Sequence, residues 1–220
     1  ARRMNKLVCV SDDVLRHCLD KEKIPRSKLV VIPNGVDLAD IDRQLKNSAS
    51  LQWSELNVPI AARVLLFVGR LHVQKGVDKL LAHCNQMLEK LPEHHLVLMG
   101  DGPLEQKLKD TVMRLNCSGR VHFVGWQPNP VQWINRAEML LLPALYEGMP
   151  NVVLEAMAAR RPLVAFDIDG VRQALGGCES SIFQRQIAIP GDFENFIHLV
   201  RHLASNANDR LECGAYNRAR

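Results

Sequence analysis

No stretch of this 220-residue chain approaches the roughly 20 apolar residues needed to span a bilayer. No secretory leader is visible either. Ala1-Arg2-Arg3-Met4-Asn5-Lys6 is basic, but a mixed stretch follows it and no small-residue cleavage site appears. Six cysteines, Cys9, Cys18, Cys84, Cys117, Cys178 and Cys213, form no C-x-x-C pair. That argues against a metal knuckle or a redox motif, and for reduced thiols in a cytoplasm, most of them small core or surface residues. A strong excess of one charge is also missing. Against 24 Asp and Glu the 28 Lys and Arg leave a net charge of +4, which suits an anionic small ligand or an anionic surface and does not demand nucleic acid. Nor does a G-x-G-x-x-G follow the apolar run Val64 to Val68, which disfavours a nicotinamide-dependent dehydrogenase.

What is present is the composition of a soluble globular protein, 47% hydrophobic and 24% charged, long enough for one sizeable domain or a domain with a fragment of another. Short apolar runs alternate with helical stripes. Leu7 to Val10 reads as a strand, and Ser11-Asp12-Asp13 cap a helix through Val14, Leu15, Cys18 and Leu19. Leu29 to Ile32 is the next strand, followed by Pro33-Asn34-Gly35-Val36-Asp37. Ile41 to Ala62 is polar and reads as an irregular linker with Trp53 and Leu56 as anchors. Val64 to Val68, Leu96 to Met99, Val121 to Val124, Met139 to Leu142 and Leu163 to Phe166 are the strands that follow. Between them the pattern predicts one helix carrying Val77, Leu80, Leu81, Cys84, Leu88 and Leu91, and another with Pro103 in its first position and Leu104, Leu108, Val112 and Leu115 inward. A short helix follows over Val131 to Ala137, and the last clear helix starts about Phe193. Such alternation predicts an α/β fold, a Rossmann-like doubly wound and mainly parallel sheet. Ligands in these sheets lie beyond the carboxyl ends of the strands, where Gly69, Gly100, Gly125 and Glu147 all fall.

Two loops on that side carry chemistry. In Gly69-Arg70-Leu71-His72-Val73-Gln74-Lys75-Gly76, Gly69 lets a ligand approach the backbone, and Arg70 and Lys75 can place two cations on a diphosphate. A solvated loop with two ordinary cations is the other reading. The second loop is Pro143 to Ala158. Gly148, Pro150 and Asn151 end a strand and open a helix whose first amides, near Val152 and Val153, suit an anion. Glu147 in the loop and Glu155 in the helix add two carboxylates that can accept from hydroxyls. A sugar nucleotide needs that set, with hydroxyls at both ends and a diphosphate between. The bland alternative is a strand, a turn and a helix with solvated glutamates.

The run E-G-M-P-N-V-V-L-E-A-M-A, Glu147 to Ala158, resembles the E-x7-E motif of retaining glycosyltransferases of family 4, the glycosyl transferases group 1. Gly69 to Gly76 is similar to the family's G-R-x-x-x-x-K-G loop, Gly100 to Pro103 to its G-x-G-P turn, and V-I-P-N-G-V-D to the hinge of a two-domain GT-B enzyme. The resemblance implies transfer of a sugar from a nucleotide diphosphate sugar with retention of configuration, as in polysaccharide biosynthesis. Arg70, Lys75 and Glu147 would be catalytic, the cations on the leaving diphosphate and Glu147 on the transferred sugar. Gly69, Gly125, Gly148, Asn151, Val152, Val153 and Glu155 would bind the donor, with Glu155 on the ribose. It implies no metal and no cofactor. Residues 1–37 would be the tail of an N-terminal acceptor-side domain with its hinge, and residues 38–220 the nucleotide-sugar domain. The sequence then reads as part of a longer polypeptide that does not turn over by itself. Its acceptor, a saccharide, lipid or small molecule, would sit in the other half, and the whole would be cytoplasmic with room for peripheral contact at the inner face of a membrane. Two positions depart from the pattern: Arg160 stands where the family usually has Gly, and Gln173 where Glu is common. A non-hydrolysing sugar-nucleotide epimerase and a non-catalytic partner module stay open.

Overall fold

Eight strands and eleven helices follow in chain order in a computed structural model that describes residues 5–47, 51–177 and 180–220. Ala1 to Met4 and Cys178 lie outside the described residues. The elements are β1 Leu7–Cys9, α1 Asp12–Asp20, β2 Leu29–Val31, α2 Leu38–Asn47, β3 Arg63–Val68, α3 Val77–Ala82, α4 Cys84–Leu88, β4 His94–Met99, α5 Glu105–Arg114, β5 Val121–Gly125, α6 Pro130–Arg136, β6 Met139–Leu142, α7 Asn151–Ala158, β7 Leu163–Phe166, α8 Asp169–Ala174, α9 Ser181–Gln184, β8 Ile187–Ala188, α10 Phe193–Ser205 and α11 Ala207–Arg218. Six strands form one parallel sheet in the order β5-β4-β3-β6-β7-β8, so the α/β doubly wound fold expected from the alternation is present. Chain order reverses between β3 and β6, which pair as Leu65↔Met139 and Leu66↔Leu140. The loops leaving those two strands therefore flank a topological switch point, where open α/β sheets bind ligands.

Alternation along each strand sorts the side chains onto two buried faces. Leu65, Phe67, Leu96, Leu98, Met139, Leu141, Val164 and Phe166 pack under α3, α4, α5 and α10. Val64, Leu66, Val97, Met99, Leu140, Leu142, Leu163 and Ala165 pack under α6, α7 and α8. Burial on both faces is why these strands read as continuous apolar runs. At the amino ends of the strands the structure is sealed by charge. Arg63 grips Glu138 through two hydrogen bonds of 2.7 and 2.8 Å, with His94 Nε2 at 3.3 Å. Burial pushes the Glu138 carboxyl up, but the bonds from His94 and Arg63 and the charge of Arg210 hold it below the usual range.

β1, α1 and β2 make a separate two-stranded parallel unit around Cys9, Cys18 and Leu29, and Ser11 caps α1 by accepting from Val14 N at 3.2 Å. Polar contacts tie it and the segment after it to the loops and helices beyond the main sheet. Arg16 reaches Asp169 Oδ2 at 2.9 Å, and Asn34 Nδ2 donates to Met149 O at 3.0 Å and to Asn151 Oδ1 at 2.8 Å.

Three readings need correction. The linker expected over Ile41 to Ala62 begins as a helix, α2. Asp37 Oδ1 accepts from Ala39 N and Asp40 N at 2.9 and 3.2 Å, and Ile41, 5% exposed, packs on Val131 and Ala158. The stripe Leu38, Ile41, Leu45 is thin, so polar neighbours masked it. Trp53 does anchor the remainder, tilted against Trp133 at 5.1 Å. The single helix expected from Val77 is two, α3 and α4, broken at His83 with φ −105° and ψ 9°. The buried stripe continues through the break, which is why periodicity alone gave one helix. Pro103 precedes α5 rather than opening it, because Leu104 N is drawn to Leu71 O at 3.1 Å and regular helix starts at Glu105.

Candidate functional site

The β3–α3 and β6–α7 loops are stitched together over the switch point. Leu145 N donates to Gln74 O at 2.9 Å, and Gln74 Nε2 donates to Tyr146 O at 3.1 Å. Gly76 holds a left-handed φ of +66°, and a Cβ there would overlap Pro143 O, so only glycine lets the loops close this far. His72 caps the turn that carries Lys75: its Nδ1 accepts from Gln74 N at 3.2 Å.

This stitching joins Lys75 to Glu147. Lys75 Nζ is ion-paired with Glu147 Oε1, and their side chains are only 20% and 11% exposed. The two residues lie 72 positions apart in the chain, and the sequence marks each without showing that they meet. Glu147 is shielded partly because Gly148 packs against the N-terminal unit: a Cβ on Gly148 would stand 2.8 Å from Val10 Cγ2 and 3.1 Å from Val14 Cγ2.

Arg70 is exposed and, among the described residues, has no ion-pair partner. It lines a cavity of about 400 Å³ with Gly69, Gly100, Asp101, Trp126 and Gln127, so the turns after β3, β4 and β5 share one opening. Gly100, at φ +133°, brings two of those turns together, since a Cβ there would overlap Gly69 O. Gly125 adds a backbone bond, its carbonyl accepting from Gly100 N at 2.8 Å. Trp126 is 68% exposed on the rim of this cavity. The sequence analysis named Gly125 and not the side chain after it. The usable signal was a large aromatic directly after the carboxyl end of a strand.

At the start of α7, Asn151 is held by Asn34, and Val153 N–H already donates to Pro150 O at 3.0 Å. Any anion at this end would thus meet the amides of Asn151 and Val152 rather than that of Val153. Glu155 stands one turn further on. It is half-buried, and among the described residues its carboxylate accepts no hydrogen bond. Burial pushes its carboxyl above the usual range. Among the described residues no three His, Cys, Asp or Glu gather as a metal site. No helix there is long and apolar enough to cross a membrane.

The site therefore offers an exposed guanidinium, a buried ammonium–carboxylate pair, a half-buried carboxylate lacking a donor and a cavity rimmed by an indole. Known proteins share this framework. An uncharacterized glycosyltransferase of Methanocaldococcus jannaschii is 30% identical over 142 residues, covering 64% of this chain and 34% of its own length. The UDP-Gal:alpha-D-GlcNAc-diphosphoundecaprenol alpha-1,3-galactosyltransferase of Escherichia coli is 28% identical over 173 residues, 77% of this chain and 44% of its own. The chain thus spans less than half the length of these curated relatives. Among solved structures, WaaG, a glycosyltransferase involved in lipopolysaccharide biosynthesis, superposes with a TM-score of 0.81 at 20% identity, over 97% of this chain and 57% of that one. HepE of Anabaena, in complex with UDP and glucose, gives 0.80 at 18% identity, over 98% and 57%. At these identities the superpositions speak for the fold alone. The family model of the glycosyl transferases group 1 matches residues 62–206, more than half of the chain, and the chain belongs to that family.

Proposed function

We propose that this chain is the donor-binding half of a retaining, family 4 glycosyltransferase that uses a nucleotide diphosphate sugar. The observation that carries the reading is the largely buried Lys75–Glu147 pair at the switch point of the sheet. A cation and a hydroxyl acceptor held together out of water match the two ends of the bond that breaks, which joins sugar to diphosphate. Arg70 and Lys75 stabilise negative charge as the diphosphate leaves, in a site where preorganised charges act more strongly than in water. Glu147 takes a hydroxyl of the transferred sugar. Glu155 takes the ribose, whose hydroxyls are the donors it lacks, and the cavity beside Trp126 takes the base. The E. coli relative is named for a UDP-Gal donor and HepE was solved with UDP and glucose, which supports this donor class.

In this reading residues 1–37 are the end of an acceptor-side domain and its hinge. The acceptor, a saccharide, lipid or small molecule, binds in that domain. A thermal-shift screen against nucleoside diphosphates and their sugars tests the proposal, because a ligand that binds only the folded state raises the melting temperature. A rise with one nucleotide-sugar series is expected. No rise with any, alongside a rise with nicotinamide dinucleotides, would overturn it.

A further inference from the structure

The residues that present Lys75 form a single 3₁₀ turn, Val73–Lys75, in which no residue is buried. Its one apolar side chain, Val73, is 50% exposed, so hydrogen bonds rather than packing hold its shape. His72 supplies two of them. Its carbonyl accepts from Lys75 N at 2.9 Å, and its ring Nδ1 accepts from Gln74 N at 3.2 Å. Gln74 in turn ties the β3–α3 loop to the β6–α7 loop, through Leu145 N and Tyr146 O. The ring of His72 therefore heads a chain of bonds that ends on the two loops carrying Lys75 and Glu147.

Only a neutral imidazole has a bare nitrogen with which to accept. A proton on Nδ1 would face the N–H of Gln74, two donors with no acceptor between them. It would also put a third cation on a loop that already carries Arg70 and Lys75. Histidine is the side chain whose charge ordinarily changes between about pH 5 and 8. The neighbouring segments bring Asp78 and Lys79 at the start of α3, Asp101 after β4, and Glu147 after β6, which is paired with Lys75. Among the described residues the histidines that meet a carboxylate are His17, His94 and His202, not His72. A protonated His72 thus gains no counter-charge to offset the lost bond.

We propose that His72 is a positioning residue of this site: its neutral ring fixes the turn that presents Lys75, and protonation releases that turn, so the site loses affinity for nucleotide sugars in mild acid. The loss of affinity rests on the donor-site reading above, whereas the release of the turn does not. The test compares the wild-type chain with His72→Asn, whose side-chain oxygen can accept from Gln74 N without titrating, and with His72→Ala. The readouts are amide NMR across pH and calorimetry with UDP-galactose, whose diphosphate does not titrate in this range. In the wild type the amides of Gln74 and Leu145 should shift together as the pH falls from about 8 to about 5, and in His72→Asn neither should. From about pH 7.5 to about pH 5.5 the wild type should lose about fivefold more affinity than His72→Asn, the worth of a lost cap. Glu155, whose carboxyl burial pushes above the usual range, loses its charge toward acid in both and cancels in that comparison. At about pH 7.5 His72→Ala should bind about fivefold more weakly than the wild type, and His72→Asn within about twofold of it. A Gln74 amide that does not titrate in the wild type, the same titration in His72→Asn, or equal acid losses in both would overturn the proposal. Failure of UDP-galactose to bind at any pH would count instead against the donor-site reading and leave the amide result to decide the role of His72.

Discussion

Lys75 and Glu147 neutralise each other while no donor is bound, and this changes what each substitution should do. On the proposed reading, a nucleoside diphosphate draws Lys75 away and leaves the largely buried Glu147 without a counter-charge, a costly state. A nucleotide sugar also brings a hydroxyl for Glu147. Lys75→Ala should therefore weaken nucleoside diphosphate binding by about 1.5–3 kcal/mol, the range for a charge-assisted hydrogen bond, and leave bare nucleoside nearly unaffected. Calorimetry with both ligands checks it, and equal losses would remove the diphosphate role. Glu155 behaves differently because it has burial without a partner. Its folded-state carboxyl titrates above the unfolded value, so its favourable contribution belongs to low pH and is lost as pH rises through the raised value. Glu155→Gln should raise the denaturation midpoint at pH 7, with the gain vanishing below about pH 4, where the carboxyl is protonated in both states. The same variant should weaken nucleoside diphosphate and nucleotide sugar alike, by about five- to tenfold, as a neutral acceptor replaces a charged one. A gain that persisted at pH 4 would trace to packing instead.

At the scale of elements, the end of α7 shows how far local patterns reach. Arg160 stands where glycine would be free, and it does adopt the left-handed conformation, φ +56°. Arg161 N donates to Ala156 O at 2.9 Å and Arg160 N to Met157 O at 3.0 Å, so the helix closes in a Schellman turn despite the side chain. Arg160→Gly should stabilise the fold by a few tenths to about 1 kcal/mol, raising the melting temperature by up to about 4 °C. A clear fall would mean that the exposed guanidinium makes contacts worth more than the strain. α2 offers the opposite case. Its Asp37 cap was visible as a residue but not as a cap, because Leu38, Ile41 and Leu45 make too thin a stripe to announce a helix. Asp37→Ala should cost about 1 kcal/mol in urea unfolding. β8, two residues long, and the short α8 and α9 escaped the sequence for a related reason: β8 is fixed by pairing with β7, α8 by packing on α7 and α9 by packing on α11, not by their own periodicity.

For the whole molecule, the sheet and its ligand-binding edge were legible because continuous apolar runs and glycine-bearing turns are local signals. The residues of the candidate site were legible one at a time. Lys75 and Glu147 gave no sign that they would pair with each other. Pairing depends on the reversal of strand order between β3 and β6 and on the backbone bonds of Gln74, Leu145 and Tyr146, which no window of sequence contains. The central claim is that this pair is parted by a donor, with diphosphate taking the lysine and sugar taking the glutamate. The most direct measurement is calorimetry of Glu147→Gln against one nucleoside diphosphate and the matching nucleotide sugar. The account predicts unequal changes. The bare diphosphate binds more tightly than to the wild type, because Lys75 is released from its partner, and the nucleotide sugar loses its advantage over it. Equal weakening of both ligands would contradict it.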